Sequence, residues 1–345
     1  MDTIPAPPPL PTIDFAYAGR PSRARATDTR VQISPGVTLL PTPGQTVWAQ
    51  QREVGLARCA AAVNSARSAV ALTHEAAALV HGLWLRRGET DIRIAVPTKP
   101  KRTRQPLAPI AFADGELPHP SGAGRAVSLR RRRSRLQAGD VEVVNGLPVT
   151  SLLRTAVDCA FDLPARESIT IVDSAVRALC RPDRFHPQQA RAKWERVRPQ
   201  LLAAVEAEGP RRGAVRARAV AAMASPFSES PGESLTRRLV VALGLPEPEL
   251  QYEILLEADG GQRFLDLAWP DLRLAIEFDG RSKYSVNDDI WEEKLRQDAI
   301  GAMGWSFIRV TYADLNDEER LASRVMKHMP PSVTLHARRV PGLWE

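Results

Sequence analysis

Between Leu272 and Gly280 the chain reads Leu-Arg-Leu-Ala-Ile-Glu-Phe-Asp-Gly. An apolar run of this length, interrupted only by Arg273 and closed by a glycine, fits a strand buried on both faces. At its end stands Glu277, and an ionised carboxylate in such a place is costly unless a partner offsets it. The fold must therefore bring a partner to Glu277.

Eleven residues upstream, Asp266 lies in Arg263-Phe-Leu-Asp-Leu-Ala-Trp269. Adjacent hairpin strands can set Asp266 beside Glu277, and the period of two places Glu277 and Asp279 on the same face. Three converging carboxylates repel one another, and the usual remedy is a divalent cation that prefers oxygen ligands. Just past the turn, Asp279-Gly-Arg-Ser-Lys-Tyr284 supplies Lys283, one of only six lysines. An ammonium group near such a site can orient or help deprotonate an attacking water and can stabilise the charge of the transition state. The reaction class that wants this set is metal-assisted hydrolysis of a phosphodiester. Glycoside hydrolysis also uses paired carboxylates but needs neither the lysine nor a basic partner domain.

The charge is divided along the chain. Residues 1 to 230 hold 33 basic and 20 acidic side chains, whereas the remainder holds 14 and 20. The first part suits polyanions and the second does not. Lys99, Lys101, Arg102 and Arg104, then Arg130, Arg131, Arg132 and Arg133, are the candidate DNA-binding residues. On a strand the last four alternate faces, so they cannot all meet one phosphate backbone.

A length of 345 residues predicts two or three domains. Residues 1 to 30, rich in Pro, Thr and Arg, read as a disordered leader, with a short hairpin after them at 31 to 41. Helices are expected at about 46 to 66 and 73 to 83, and a strand over Asp91 to Val96. A loop-like basic stretch follows to Arg135, then a hairpin around Asn145-Gly146. The first domain closes near 180, and residues 181 to 228 read as a helical linker. From 229 to 328 the order is helix, three-stranded meander, helix, strand, helix, which builds one mixed sheet flanked by helices. Residues 329 to 345 read as a tail. The fold class is therefore α/β, with a basic α/β domain ahead of a C-terminal mixed sheet.

Other chemistries lack their residues. Cys59, Cys159 and Cys180 are too far apart for a metal motif and read as buried thiols of a reducing compartment. His74 and His81 are seven apart, about 10 Å along a helix, too far to share a zinc. No basic start with an apolar run marks a secretory signal, and no run of about 18 apolar residues marks a membrane span. The expected location is the cytoplasm.

Asp266, Glu277-Phe-Asp279-Gly-Arg-Ser-Lys-Tyr284, Trp291-Glu-Glu-Lys-Leu-Arg-Gln-Asp298 and Gly304-Trp-Ser-Phe-Ile-Arg-Val310 together resemble the small nuclease domain related to the very-short-patch mismatch repair endonuclease. That domain belongs to the PD-(D/E)xK restriction-endonuclease-like superfamily. The resemblance covers about residues 229 to 328. It implies a DNA endonuclease that uses Mg²⁺ or Mn²⁺ and leaves 5′-phosphate and 3′-hydroxyl ends. Asp266 and Glu277 would be metal ligands, Asp279 would complete their shell, and Glu233 would be a supporting acid. Where the superfamily pattern has a lysine two places after the acid, this chain has Asp279, so the lysine role passes to Lys283 or Lys294. Upstream, Thr73-His-Glu-Ala-Ala-Ala-Leu-Val-His-Gly-Leu83 and Gly146-Leu-Pro-Val-Thr-Ser-Leu-Leu-Arg-Thr-Ala-Val-Asp158 are similar to AbiEi-type antitoxins. That likeness implies a toxin-type protein partner or a non-catalytic DNA-binding regulator as alternatives.

Plainer readings compete at several positions. Ser230-Pro231-Gly232-Glu233 has the spacing of a helix cap. Glu292 with Arg296, and Lys294 with Asp298, have the spacing of helix-surface ion pairs.

Overall fold

The computed structural model describes residues 7–15, 29–66, 68–122, 124–255, 261–280 and 300–344. The chain divides into two compact units, Met1–Cys159 and Ala160–Glu345. Both combine helices with sheets, and the class is mixed α/β.

In the first unit, β1 (Ile13–Phe15), β2 (Val31–Ser34) and β3 (Val37–Leu39) form an antiparallel sheet in the order β1-β3-β2. The expected hairpin is the β2–β3 pair, and its turn needs Gly36, whose φ of 75° lies in the left-handed region. Val31, Ile33, Val37 and Leu39 point inward and pack on Val54, Ala57 and Ala61 of α1 (Val47–Ser65). Within the stretch read as a structureless leader, Ile13–Phe15 is therefore a paired strand, while residues 1–6 and 16–28 lie outside the described residues.

A six-stranded mixed sheet carries the rest of this unit. It contains β4 (Ala71–Thr73), which leads into α2 (His74–His81), then β5 (Ile92–Val96), β6 (Arg104–Pro106), β9 (Ser128–Arg133), β10 (Val141–Val144) and β11 (Leu147–Thr150). Between β6 and β9, β7 (Ile110–Ala111) and β8 (His119–Pro120) make a separate pair. The order across the sheet is β10-β11-β4-β5-β9-β6. Asn145 and Gly146, with φ of 50° and 78°, make the tight turn expected between β10 and β11. The basic stretch read as a loop is thus partly strand. Its arginines hid the pattern, but Ser128 and Leu129 are buried and the segment is hydrogen-bonded on both sides, to β5 and β6.

After α3 (Leu152–Asp162), the second unit contains α4 (Ala165–Cys180), α5 (Gln188–Ala207), α6 (Ala214–Met223) and α7 (Pro231–Ala242). The sheet follows as β12 (Glu249–Leu255), β13 (Gln262–Trp269), β14 (Leu274–Asp279) and β15 (Ser306–Thr311), in that spatial order. The first three are antiparallel and β15 is parallel to β14. After the sheet come α8 (Tyr312–Asn316), α9 (Glu318–His328) and α10 (Pro331–Thr334).

The divisions expected at 180, 228 and 328 are not where the compact units part. Arg237 on α7 is fully buried, and its Nη2 donates to both Asp173 oxygens on α4, at 2.9 and 2.7 Å. The adjacent Arg238, also fully buried, reaches Glu318 on α9 at 2.6 Å and the Leu343 carbonyl at 2.7 Å. Two buried guanidiniums therefore bind α4, read above as the end of the first domain, and the supposed tail to the helix that precedes the sheet. A buried charge leaves such a partner only at high cost.

Candidate functional site

Glu233 lies in the first turn of α7. Pro231 opens the helix, and the Ser230 hydroxyl accepts the Glu233 N–H at 3.2 Å. The Glu233 carboxylate turns back, and its Oε2 accepts from the Glu229 N–H at 2.8 Å and from Gln251 Nε2 at 3.1 Å. The cap reading is therefore correct, with the return bond falling on Glu229. A cap alone does not require what else is found here. Glu233 is only 6% exposed, and its pKa is pushed up to about 8, first by burial and then by the negative charge of Asp266. Hydrogen bonds from Ser230 and Gln251 and the charge of Arg177 oppose that rise without cancelling it. At neutral pH Glu233 keeps a proton beside an acidic neighbour.

Asp266 stands where both ladders of β13 are interrupted. Toward β12 the pairing runs Leu250↔Leu267 and then Tyr252↔Leu265, passing over Gln251. Gln251 has a φ of 50°, a conformation that side chains other than glycine rarely take. Toward β14 the pairing ends at Leu267↔Ile276, and one step beyond it Asp266 Oδ2 accepts the Phe278 N–H at 2.8 Å. A side-chain carboxylate thus takes over a backbone donor. Left-handed backbone gathered with two acids is an arrangement more common at working sites than in plain scaffolding.

Phe278 links these parts. Its ring meets Tyr312 edge-on at 4.9 Å and lies so close under Gly232 that a Cβ there would overlap it. Burial and the charge of Glu233 raise the Tyr312 pKa. Beside Glu229 and Gln251 a cleft of about 280 Å³ opens, lined also by Arg177, Arg184, Arg191 and Asp183. Sequence reasoning names neither Gln251 nor Tyr312. No local pattern announces a left-handed glutamine inside a strand, and Tyr312 lies within Thr311-x-x-Asp314, which reads simply as a helix start.

The register brings Asp266 level with Glu277, as the hairpin argument required, and sets Glu277 and Asp279 opposite Arg309 and Thr311 on β15. The expected gathering of three carboxylates is not found. Among the described residues no group of three or more His, Cys, Asp or Glu side chains is placed to hold a metal ion. Asp266 Oδ2 accepts the Phe278 N–H, and the charge of Asp266 acts on Glu233 of α7. Asp266, Glu277 and Asp279 offer the right type of oxygen donor for Mg²⁺ or Mn²⁺. Lys283, Lys294, Glu292, Arg296 and Asp298 lie outside the described residues.

In the first unit, Lys99, Lys101, Arg102 and Arg104 are exposed, as are Arg130, Arg132 and Arg133. Arg131 is half-buried and donates to Gln105 Oε1 at 2.9 Å, and Arg130 pairs with Asp91. His74 is buried and His81 half-buried, and both are hydrogen-bonded, to Thr73 Oγ1 at 2.9 Å and the Thr150 carbonyl at 2.7 Å. The three cysteines are buried thiols, and burial pushes the Cys59 thiol up to about 12. Among the described residues no helix is long and apolar enough to cross a membrane.

The chain is similar to two curated proteins of Mycobacterium tuberculosis, the uncharacterized protein MT2308 of strain CDC 1551 / Oshkosh and the uncharacterized protein Rv2248 of strain ATCC 25618 / H37Rv. Each is 31% identical over 189 residues, which is 54% of this chain and 63% of the relative's length. No family model and no solved structure matches.

Proposed function

We propose that the second unit is a DNA endonuclease that hydrolyses phosphodiester bonds, with Asp266 and Glu233 at the centre of its chemistry. The observation that carries this reading is that Glu233, raised by the charge of Asp266, is bonded to the left-handed Gln251, which itself lines a cleft with Arg177, Arg184 and Arg191. Asp266 is fixed by the Phe278 amide and supplies negative charge. Glu233 Oε2 is oriented by the Glu229 N–H and by Gln251. A carboxyl that keeps its proton near neutral pH is suited to proton transfer to or from a reacting oxygen. Glu277, Asp279 and Lys283 belong to the proposal through the resemblance, as do Mg²⁺ or Mn²⁺ as cofactor. The first unit supplies basic surface for DNA, and the cytoplasm is the proposed compartment.

The test is nicking of supercoiled plasmid with Mg²⁺ or Mn²⁺, comparing the wild type with Asp266→Ala and Glu277→Ala. Both variants should lose activity by on the order of 100-fold or more. Activity equal to wild type in both would overturn the assignment. A second reading, a DNA-binding regulator that does not cut, draws on Asp279 in the lysine's place. Intact DNA binding with no cleavage by the wild type would establish it, and co-purification of a toxin-type protein would favour the antitoxin-like form.

A further inference from the structure

We propose that one face of the six-stranded sheet in the first unit, bearing Arg93, Arg130, Arg104, Arg132 and Arg102, grips the sugar-phosphate backbone of nucleic acid, while Arg131 and Arg133 do not take part. The inference rests on the reading of DNA as ligand but not on its cleavage.

The register makes the argument. Arg93 on β5 lies opposite Arg130 on β9, and Arg130 lies opposite Arg104 on β6. Directly opposed residues share a face, with Cβ atoms about 5 Å apart. Three guanidinium groups therefore stand in one row across three strands. The Arg131 N–H donates to the Thr103 carbonyl at 2.8 Å, which carries the pairing onward and brings Arg102 level with Arg132. Arg132 is two residues from Arg130 and so lies on the same face, as a second row. Arg131 and Arg133 point the other way.

Like charges set opposite one another destabilise a sheet. The fold offsets only part of this row. Glu75 lies 3.3 Å from Arg93, and Asp91 meets Arg130 while also accepting the Ser128 N–H at 2.9 Å. Arg104 donates to the uncharged Ser128 hydroxyl at 2.9 Å. Arg102, Arg104, Arg130 and Arg132 are exposed, so this face presents guanidinium groups to solvent. Lys99 and Lys101, exposed on the connection into β6, add to it. Three strands span about 10 Å, which suits a polymeric anion better than a single phosphate group.

The experiment is binding of a labelled duplex DNA of arbitrary sequence to the full chain, in EDTA, across a series of salt concentrations. Arg104→Ala combined with Arg132→Ala should weaken binding and lower the slope of log K against log salt by about 2, one unit for each phosphate no longer neutralised. Arg133→Ala should leave the slope unchanged. The inference is overturned if the wild type does not bind, if the double variant keeps the wild-type slope, or if Arg133→Ala loses as much. Because EDTA stops any metal-dependent cutting, a chain that binds as described but never cleaves would defeat only the endonuclease proposal. A chain that cleaves with all slopes equal would defeat only this one.

Discussion

Replacement of Asp173 by alanine tests how the second unit is held together. Asp173 and Arg237 are both fully buried; Asp173 accepts two bonds from Arg237, one from the Ser225 N–H at 2.9 Å and one from the Ser228 hydroxyl at 3.4 Å. Arg237 also donates to the Met223 carbonyl and, at 3.3 Å, to the exposed Glu247. Without Asp173 the guanidinium keeps only those weaker partners in a water-poor place. Removing one member of a buried pair costs about 3–5 kcal/mol. For a unit spanning residues 160 to 345, that corresponds to a fall in melting temperature of roughly 6–20 °C. Urea denaturation followed by tryptophan fluorescence would read the loss directly. Asp173→Leu combined with Arg237→Met should recover most of it, because two apolar side chains of similar volume remove the charge that needed a partner. A single variant within about 1 kcal/mol of wild type would refute the reasoning, since it would mean that the pair is hydrated or dispensable. The prediction bears on function because α7 carries Glu233, and α4 reaches α7 through this pair.

The remaining expectations concern the site itself. Folded Glu233 keeps its proton up to about 8, whereas an unfolded glutamate releases it near about 4.3. Between those values the folded state binds the extra proton, so Glu233's contribution is full below about 4.3 and is lost as pH rises through about 8, at on the order of 1 kcal/mol per pH unit. Denaturation at pH 6 and pH 9 should show Glu233→Gln with a flatter dependence than wild type, and parallel curves would rule the buried carboxyl out. Gly232→Ala puts a methyl group into the Phe278 ring. Such overpacking should cost about 1–3 kcal/mol, and a variant of unchanged stability by thermal melting would show that the helix start and the ring can part freely.

The sequence carries some elements far better than others, and the reason differs in each case. The strand ending at Val96, the Asn145-Gly146 turn and the helix–meander order from 231 onward are legible because each is a local pattern: alternation, turn chemistry, periodicity. Ile13–Phe15 is not, since three residues become a strand only through pairing with β3, more than twenty positions later. β9 is not, because four arginines in a row erase hydrophobic alternation while leaving hydrogen-bonding capacity intact. The joining of α4 to α7 is hidden for a further reason. Asp173 and Arg237 are 64 residues apart, and nothing near either one announces a buried partner.

The carboxylates show where local reasoning stops. Hairpin spacing correctly sets Asp266 across from Glu277, and then assumes that the ladder continues and the side chains stand in parallel. Instead the ladder ends at Leu267↔Ile276, Asp266 bonds to the Phe278 amide, and its acidic neighbour comes from a helix 33 residues earlier. The spacing around that neighbour reads as a cap, and it is one. The cap bond fixes Glu233 at the helix start, while Gln251 can donate to it from a β12 backbone that leaves the extended form at that residue. A regular β12 would pair Gln251 with Asp266, as the register on either side requires. The departure from strand geometry is therefore tied to the place where the two acids meet, which is why a pattern built on regular strands can name Asp266 and Glu233 separately but cannot join them.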